Sequence, residues 1–353
     1  MSQFISLKVK EVRRETENAV SVAFDLSDDQ QRQFQYKPGQ YITIRRSIGG
    51  EDVRRSYSLS SAPHEHDFRI AVKKIEGGKM SGYCNDTLTD GTVLDVMLPQ
   101  GNFVLNAENG KHYVAFAAGS GITPVISMVK STLKNTDSKF TLFYGNKSAQ
   151  LTIFKNELDA LKNTYPDRFQ LNYIYSQQES SDRLFEGRIT RQKFEELIRA
   201  DAGLLKADGF FMCGPEQMIM DVKEGLAYLG VHAEKIHFEL FTTPVATSPN
   251  TPADRSDFTG VSQVTVIMDG EEFELELAAD GDFILDAAMD AGADVPFSCK
   301  GAVCCTCKAQ VVEGKAIMDM NYSLSDSEVE DGFILTCQAH PASEKVVIDY
   351  DVV

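Results

Sequence analysis

Three cysteines, Cys299, Cys304 and Cys307, are separated by four and by two residues, and Cys337 follows 30 residues after Cys307. Three thiolates on one tight loop can grip an Fe2S2 rhomb from one side while a distant fourth closes it, so the spacing points to a [2Fe–2S] cluster. Gly301 and Ala302 are small enough to let backbone N–H groups approach the sulfurs, which tunes the reduction potential. A structural zinc ion would also take four thiolates, but zinc ribbons draw them from two C-x2-C knuckles, and only one exists here. Cys305 would require spacings of five and one, outside the pattern; it reads as a small buried hydrophobe or a thiol beside the ligands.

Upstream lie four further stretches with chemistry. In Arg55-Ser56-Tyr57-Ser58 the arginine can neutralise a phosphate, the tyrosine can lie along an isoalloxazine ring, and the serine hydroxyl can reach flavin N5. Gly77-Gly78-Lys79-Met80-Ser81 opens a helix, and a glycine-bearing helix start is an anion site. Together they describe a dinucleotide flavin held by its pyrophosphate. Gly119-Ser120-Gly121-Ile122-Thr123-Pro124 directly follows an apolar strand, with Pro124 placed to begin a helix where its missing N–H costs nothing. Cys213-Gly214-Pro215 ends a later strand. Two glycine turns at two parallel strand ends make a nicotinamide site. An acidic residue after the first turn's next strand would favour NADH; the stretch is Tyr144-Gly145-Asn146-Lys147, and Arg183 lies further on, which favours NADPH over NADH. The six histidines form no metal site: His64-Glu65-His66 sits in a polar loop, and Glu234-x-x-His237 is one pair where a di-iron carboxylate site needs two.

The elements that must position these residues fall into three groups. Alternating or β-branched runs at 4–12, 20–24, 41–44, 56–59, 68–72 and 92–98, broken by Pro38-Gly39, Gly49-Gly50 and Asp90-Gly91, predict an antiparallel β-barrel with one helix at 81–88. From His112 strands at 113–117, 140–144, 169–175, 209–212 and 236–239 alternate with helices starting near Pro124, Ile153, Thr190 and Glu216, an α/β rhythm implying a parallel sheet. Residues 241–262 lack periodicity and read as a semi-stiff linker. A hairpin around Asp269-Gly270, a helix at 284–291, strands at 308–312, 333–337 and 346–350, and a helix capped by Ser325 with Glu328 suit an α+β domain of β-grasp type. The expected domains are 1–107 for flavin, 108–240 for nicotinamide and 263–353 for the cluster.

Of the net charge of −17, the segment from Gln263 onward holds −15, with 19 acidic against 4 basic residues. Such a domain argues against nucleic acid and anionic membranes and suits docking on a basic protein surface. No apolar run is long enough for a signal peptide or a membrane span, and the cysteines do not form a disulfide framework, so a reducing cytoplasm is the expected location.

Taken in order, the R-S-Y-S, G-K-M-S, G-S-G-I-T-P and C-G-P stretches and the cysteines resemble the ferredoxin–NADP reductase superfamily along the whole chain. The C-terminal arrangement, with Met318-Asp319-Met320-Asn321-Tyr322 and Thr336-Cys337-Gln338-Ala339-His340-Pro341, is similar to the reductase components of ring-epoxidising and steroid-hydroxylating multicomponent oxygenases. The resemblance implies an oxidoreductase with FAD at Arg55, Ser56, Tyr57, Ser58, Val72, Lys73, Gly78, Lys79, Met80 and Ser81. It implies nicotinamide binding at Gly119, Ser120, Gly121, Thr123, Pro124, Cys213, Gly214 and Pro215. A plant-type ferredoxin domain would ligate its cluster through Cys299, Cys304, Cys307 and Cys337. The expected activity converts the hydride of NADPH, received beside Ser58 and Cys213, into single electrons for a partner oxygenase component. The alternatives are a reductase for another acceptor, such as a steroid hydroxylase or a hybrid-cluster protein, and a zinc-bearing binding module. One departure from the family is Ala302, where ferredoxins carry glycine; Gly301 is positioned to absorb any left-handed turn there.

Overall fold

The structure, a computed structural model, describes residues 4–241 and 258–352, which fall into two compact units. The expected linker at 241–262 lies largely outside the described residues; Val261 and Ser262 already belong to a strand.

The unit Phe4–Phe241 joins a barrel to a parallel sheet. Six antiparallel strands, β1 (Ile5–Thr16), β2 (Ala19–Asp25), β3 (Tyr41–Ile48), β4 (Glu51–Ser58), β5 (Phe68–Lys73) and β6 (Val93–Val96), run in the order β4-β3-β6-β1-β2-β5. A bridge between Leu59 and Ile70 brings the two ends together. Alternate apolar residues, among them Leu7, Val9, Ile42, Ile44 and Ile70, point inward and are fully buried. The β3–β4 hairpin turns through Gly49 and Gly50, both at positive φ, and this sets the register that ends β4 on Ser58.

Two helices serve the barrel, where the sequence predicts one. α1 (Asp28–Gln33) buries no residue and so has no apolar periodicity to betray it; the signal was the capping box of Ser27 and Gln30. α2 (Lys79–Asp86) is the expected helix, started on Gly78.

The second half of this unit is a five-stranded parallel sheet, β7 (His112–Ala118), β8 (Lys139–Asn146), β9 (Phe169–Tyr175), β10 (Gly209–Cys213) and β11 (Ile236–Glu239), in the order β11-β10-β7-β8-β9. Helices α3 (Ile122–Asn135), α4 (Lys155–Thr164), α5 (Arg191–Ala200) and α6 (Glu216–Tyr228) connect it. α3 begins two residues before Pro124, so the proline occupies the third helical position; its absent N–H is still one of those the first turn leaves unbonded. Lys130 on α3 is buried and binds Glu65 of the barrel (3.2 Å) and Glu157 of α4 (2.5 Å), so Glu65 ties the polar loop to the sheet while His64 and His66 beside it stay exposed.

The C-terminal unit holds β12 (Val261–Met268), β13 (Glu271–Ala278), α7 (Ile284–Asp290), β14 (Lys308–Glu313), β15 (Ala316–Met318), α8 (Asp326–Glu330), β16 (Phe333–Leu335), β17 (Ala339–Pro341) and β18 (Lys345–Asp349). Its main sheet runs β13-β12-β18-β14-β16, with β12 and β18 parallel and the hairpin turning at Asp269 and Gly270. β15 and β17, unforeseen because three-residue strands carry no readable alternation, form a small second sheet. The predicted strand 333–337 stops at Leu335, and Thr336–Gln338 turn as a 3-10 helix, which takes Cys337 out of the sheet plane toward the cysteine loop.

Candidate functional site

At the barrel, β4 delivers the expected quartet. Ser56 Oγ lies 2.9 Å from Thr43 Oγ1, and Arg55, exposed, donates to the Arg54 carbonyl (2.6 Å), leaving most of its guanidinium face outward. Tyr57 packs on the barrel core, and burial pushes its phenol well above the usual range, so it stays an O–H. Below it the 75–81 turn is held by Ser81, whose hydroxyl accepts from Ile75 N–H (3.2 Å) and donates to Gly78 O (3.3 Å). A Cβ on Gly78 would come within 2.4 Å of that hydroxyl, so only glycine fits. Lys79 pairs with Glu51, Met80 is buried in the core, and the Val72 carbonyl accepts from Asn85 (3.1 Å). The Gly78 N–H is taken by the Ile75 carbonyl (3.0 Å), and the turn offers the backbone N–H groups of Lys79, Met80 and Ser81 at the start of α2.

The two glycine turns of the parallel sheet meet. A Cβ on Gly121 would lie 2.0 Å from Cys213 O, and one on Gly214 would lie 2.7 Å from Met218 and 3.1 Å from Ala118 N. The backbones therefore touch where β7 and β10, paired through Ala117 and Cys213, both end. Gly119 adopts φ +54, and its carbonyl accepts from Tyr144 (2.9 Å); Thr123 Oγ1 caps Ser120 O (3.0 Å). Lys73 reaches this turn, its Nζ 3.3 Å from where a Gly119 Cβ would be. Burial, and then the Lys147 charge, push the Lys73 ammonium down, an arrangement an anionic group would relieve.

Ser58, expected beside the flavin, and Cys213, expected beside the nicotinamide, are both buried, and Glu239 neighbours each of them. Ser58 Oγ donates to Glu239 Oε2 (3.3 Å), at the end of β11 beside Cys213 in the sheet register. Burial pushes Glu239 up to about 8, partly offset by the Ser58 bond, and burial followed by the Glu239 charge raises the Cys213 thiol. Sequence reasoning missed Glu239, although a carboxylate closing the last parallel strand was a readable signal.

In the C-terminal unit the four cysteines come together as two couples. Cys304 donates to Cys299 across 3.1 Å between sulfurs, and Cys307 donates to Cys337. The Cys304 bond and the backbone N–H groups of Gly301, Cys304 and Val303 pull Cys299 down to about 6. Cys337 is lowered by Cys307 and by the Ala302 N–H. Among the described residues no three His, Cys, Asp or Glu side chains are arranged about a single ion. Two couples amid backbone N–H donors fit a two-iron rhomb. Gly301 does not absorb the turn: Lys300 (φ +51) and Ala302 (φ +60) carry the left-handed conformation themselves. Cys305 turns away from the couples, its thiol 3.4 Å from Ser323 O, as expected of a non-ligand.

Three family models match in succession: an oxidoreductase FAD-binding domain at 6–105, an oxidoreductase NAD-binding domain at 116–224 and a 2Fe-2S iron-sulfur cluster binding domain at 266–342. The chain is 41% identical to a subunit of the 1,2-phenylacetyl-CoA epoxidase of Escherichia coli, over 99% of both chains. It is 31% identical to the ferredoxin reductase component of the 3-ketosteroid-9-alpha-monooxygenase of Rhodococcus rhodochrous, over 99% of this chain and 97% of that one. Phthalate dioxygenase reductase shares the fold, with a TM-score of 0.56 and 23% identity over 98% of each chain. No described helix is long and apolar enough to cross a membrane. With a hydride-handling barrel and sheet followed by a thiolate-lined module, and with these three domains in this order, the chain belongs to the ferredoxin–NADP reductase superfamily, among the flavin- and [2Fe–2S]-bearing reductases that feed oxygenases.

Proposed function

We propose that the chain takes reducing equivalents from NADPH and delivers them to an oxygenase that epoxidises phenylacetyl-CoA, acting in the cytoplasm in phenylacetate breakdown. The observation that carries the reading is the meeting of Ser58, Cys213 and Glu239 within a chain that also folds two cysteine couples. Phenylacetyl-CoA as the acceptor's substrate rests on the whole-length similarity to the Escherichia coli epoxidase protein. The domain limits we propose are 1–107 for flavin, 108–240 for nicotinamide and 263–353 for the cluster, β12 itself beginning at Val261.

When bound, the flavin accepts electrons in pairs and the cluster takes them singly. The chain supplies position and charge. Arg55 and the N–H groups at Lys79, Met80 and Ser81, which follow the turn at Gly78, neutralise a pyrophosphate, while Tyr57, Val72 and Lys73 line the flavin. Ser58 holds a hydroxyl at the reacting edge, oriented by Glu239, and Cys213 closes the site to water. Gly119, Ser120, Gly121, Thr123, Pro124, Gly214 and Pro215 form the nicotinamide cradle. Lys147 and the lack of a carboxylate at the end of β8 support NADPH over NADH. Cys299 and Cys304 would hold one iron, Cys307 and Cys337 the other.

Replacing Cys304 by serine separates these roles. Cytochrome c reduction is expected to vanish and NADPH-to-ferricyanide activity to persist; equal loss of both would overturn the division. Comparing kcat/KM for NADPH and NADH tests the coenzyme assignment.

A further inference from the structure

Behind the Cys307–Cys337 couple runs a buried chain of hydroxyls outside the groups assigned so far. Tyr350, just past β18, donates to Thr336 Oγ1 (2.7 Å), and Thr336 Oγ1 donates to the Cys307 carbonyl (2.9 Å). Tyr350, Thr336 and Cys307 are all buried. The same carbonyl also accepts the Thr336 N–H (3.2 Å). On the other side of Cys337, Gln338 donates to the Lys300 carbonyl (3.2 Å). The fourth cysteine, contributed from a remote point in the chain, is thus pinned to the cysteine loop through the two residues that flank it.

We propose that Tyr350, acting through Thr336, is a positioning residue that sets the reduction potential of the cluster. Each O–H in the relay points its positive end toward the Cys307 side of the loop. A bond accepted by the Thr336 hydroxyl makes that hydroxyl a stronger donor in turn, because buried hydrogen bonds in series polarise one another. Dipoles aimed this way stabilise the more negative, reduced cluster, so the relay raises the potential. Burial pushes the Tyr350 phenol well above the usual range, so the proton stays in place at any working pH. The tyrosine also reaches across the sheet, its N–H bonded to Ile267 O (3.0 Å), so the last strand couples the first hairpin to the cluster loop.

The inference rests on the assignment of Cys307 and Cys337 as iron ligands, and the test separates the two. The full-length protein is prepared anaerobically as the parent and as Tyr350→Phe, Thr336→Val, Thr336→Ser and the Tyr350→Phe/Thr336→Val double variant. Iron, sulfide and the EPR spectrum of the reduced protein are recorded, and the cluster is titrated potentiometrically. Tyr350→Phe keeps the ring and its packing; it is expected to lower the reduced-to-oxidised ratio at fixed poise about threefold, about 28 mV at 59 mV per tenfold for one electron. Thr336→Val should lower it further, the double variant should match Thr336→Val alone, and Thr336→Ser should restore the parent potential. An unchanged potential in Tyr350→Phe with the cluster intact, or additive shifts in the double variant, would overturn the relay. A parent without iron and sulfide would instead overturn the ligand assignment.

Discussion

The contact between the two glycine turns makes Gly121→Ala the most exacting probe of the nicotinamide site. The backbone of Gly121 is right-handed (φ −62, ψ −7), so alanine is conformationally allowed and only space is at issue. The added carbon would sit 2.0 Å from Cys213 O, 2.3 Å from Cys213 C and 2.7 Å from Gly214 N. An ordinary contact is about 3.4 Å or more, so the turns must part by roughly 1.4 Å. Neither turn can yield by a rotamer change, since all three of these obstacles are backbone atoms and β7 and β10 are hydrogen-bonded neighbours up to that point. Overpacking of this kind costs about 1–3 kcal/mol, or a fall of about 2–12 °C in Tm for a unit of this size. A displacement of about 1 Å in a hydride site costs on the order of 100-fold in rate. Stopped-flow reduction of the flavin by NADPH should therefore slow about 100-fold, with ferricyanide and cytochrome c reduction falling together, because the lesion lies upstream of both. A folded, flavin-replete Gly121→Ala protein with parental kcat/KM would refute the idea that these turns form the nicotinamide cradle.

Two further outcomes follow from the same geometry. Glu239 in the folded chain titrates near 8, above its ordinary 4.5, so the stability it contributes is complete below pH 4.5 and is lost as the pH rises through 8. Glu239→Gln removes that dependence, and its Tm should gain on the parent between pH 5 and 9; a constant difference would contradict the burial. At Ala302, relief of left-handed strain in Ala302→Gly, about 1–2 kcal/mol, is offset by a lost buried methyl of about 0.8 and added chain entropy of about 0.4–1, so stability should stay within about 1 kcal/mol. Ala302→Val puts a β-branched residue at φ +60 in a closed core and should cost about 2–4 kcal/mol and release iron; unaltered iron content and melting would refute the strain.

Local chemistry was what the sequence carried best. The spacing of Cys299, Cys304 and Cys307 is a property of one loop, the R-S-Y-S quartet of one strand, and the glycines announce turns because glycine takes φ +54 without strain and no side chain fits a backbone contact at 2.0 Å. The period change at His112 separated barrel from parallel sheet because side chains alternate on a half-buried strand and run apolar on one buried on both faces. The expectation that Gly301 would take the left-handed turn failed because the loop's direction is fixed by where its N–H groups must face, which puts the strain on Lys300 and Ala302.

Tertiary structure decided the rest. Glu239 lies 181 residues from Ser58; its place at the end of a strand was legible, but only the order β11-β10-β7 brings it beside Cys213 and under a barrel strand. The pairing of four thiols into two couples depends on Thr336 and Gln338 turning Cys337 out of β16, and those bonds need β14, β16 and β18 aligned in one sheet. Residue type and short spacing set which atoms can do chemistry, whereas the distances between remote groups, and with them the protonation of Glu239, follow from burial that only the assembled sheets create.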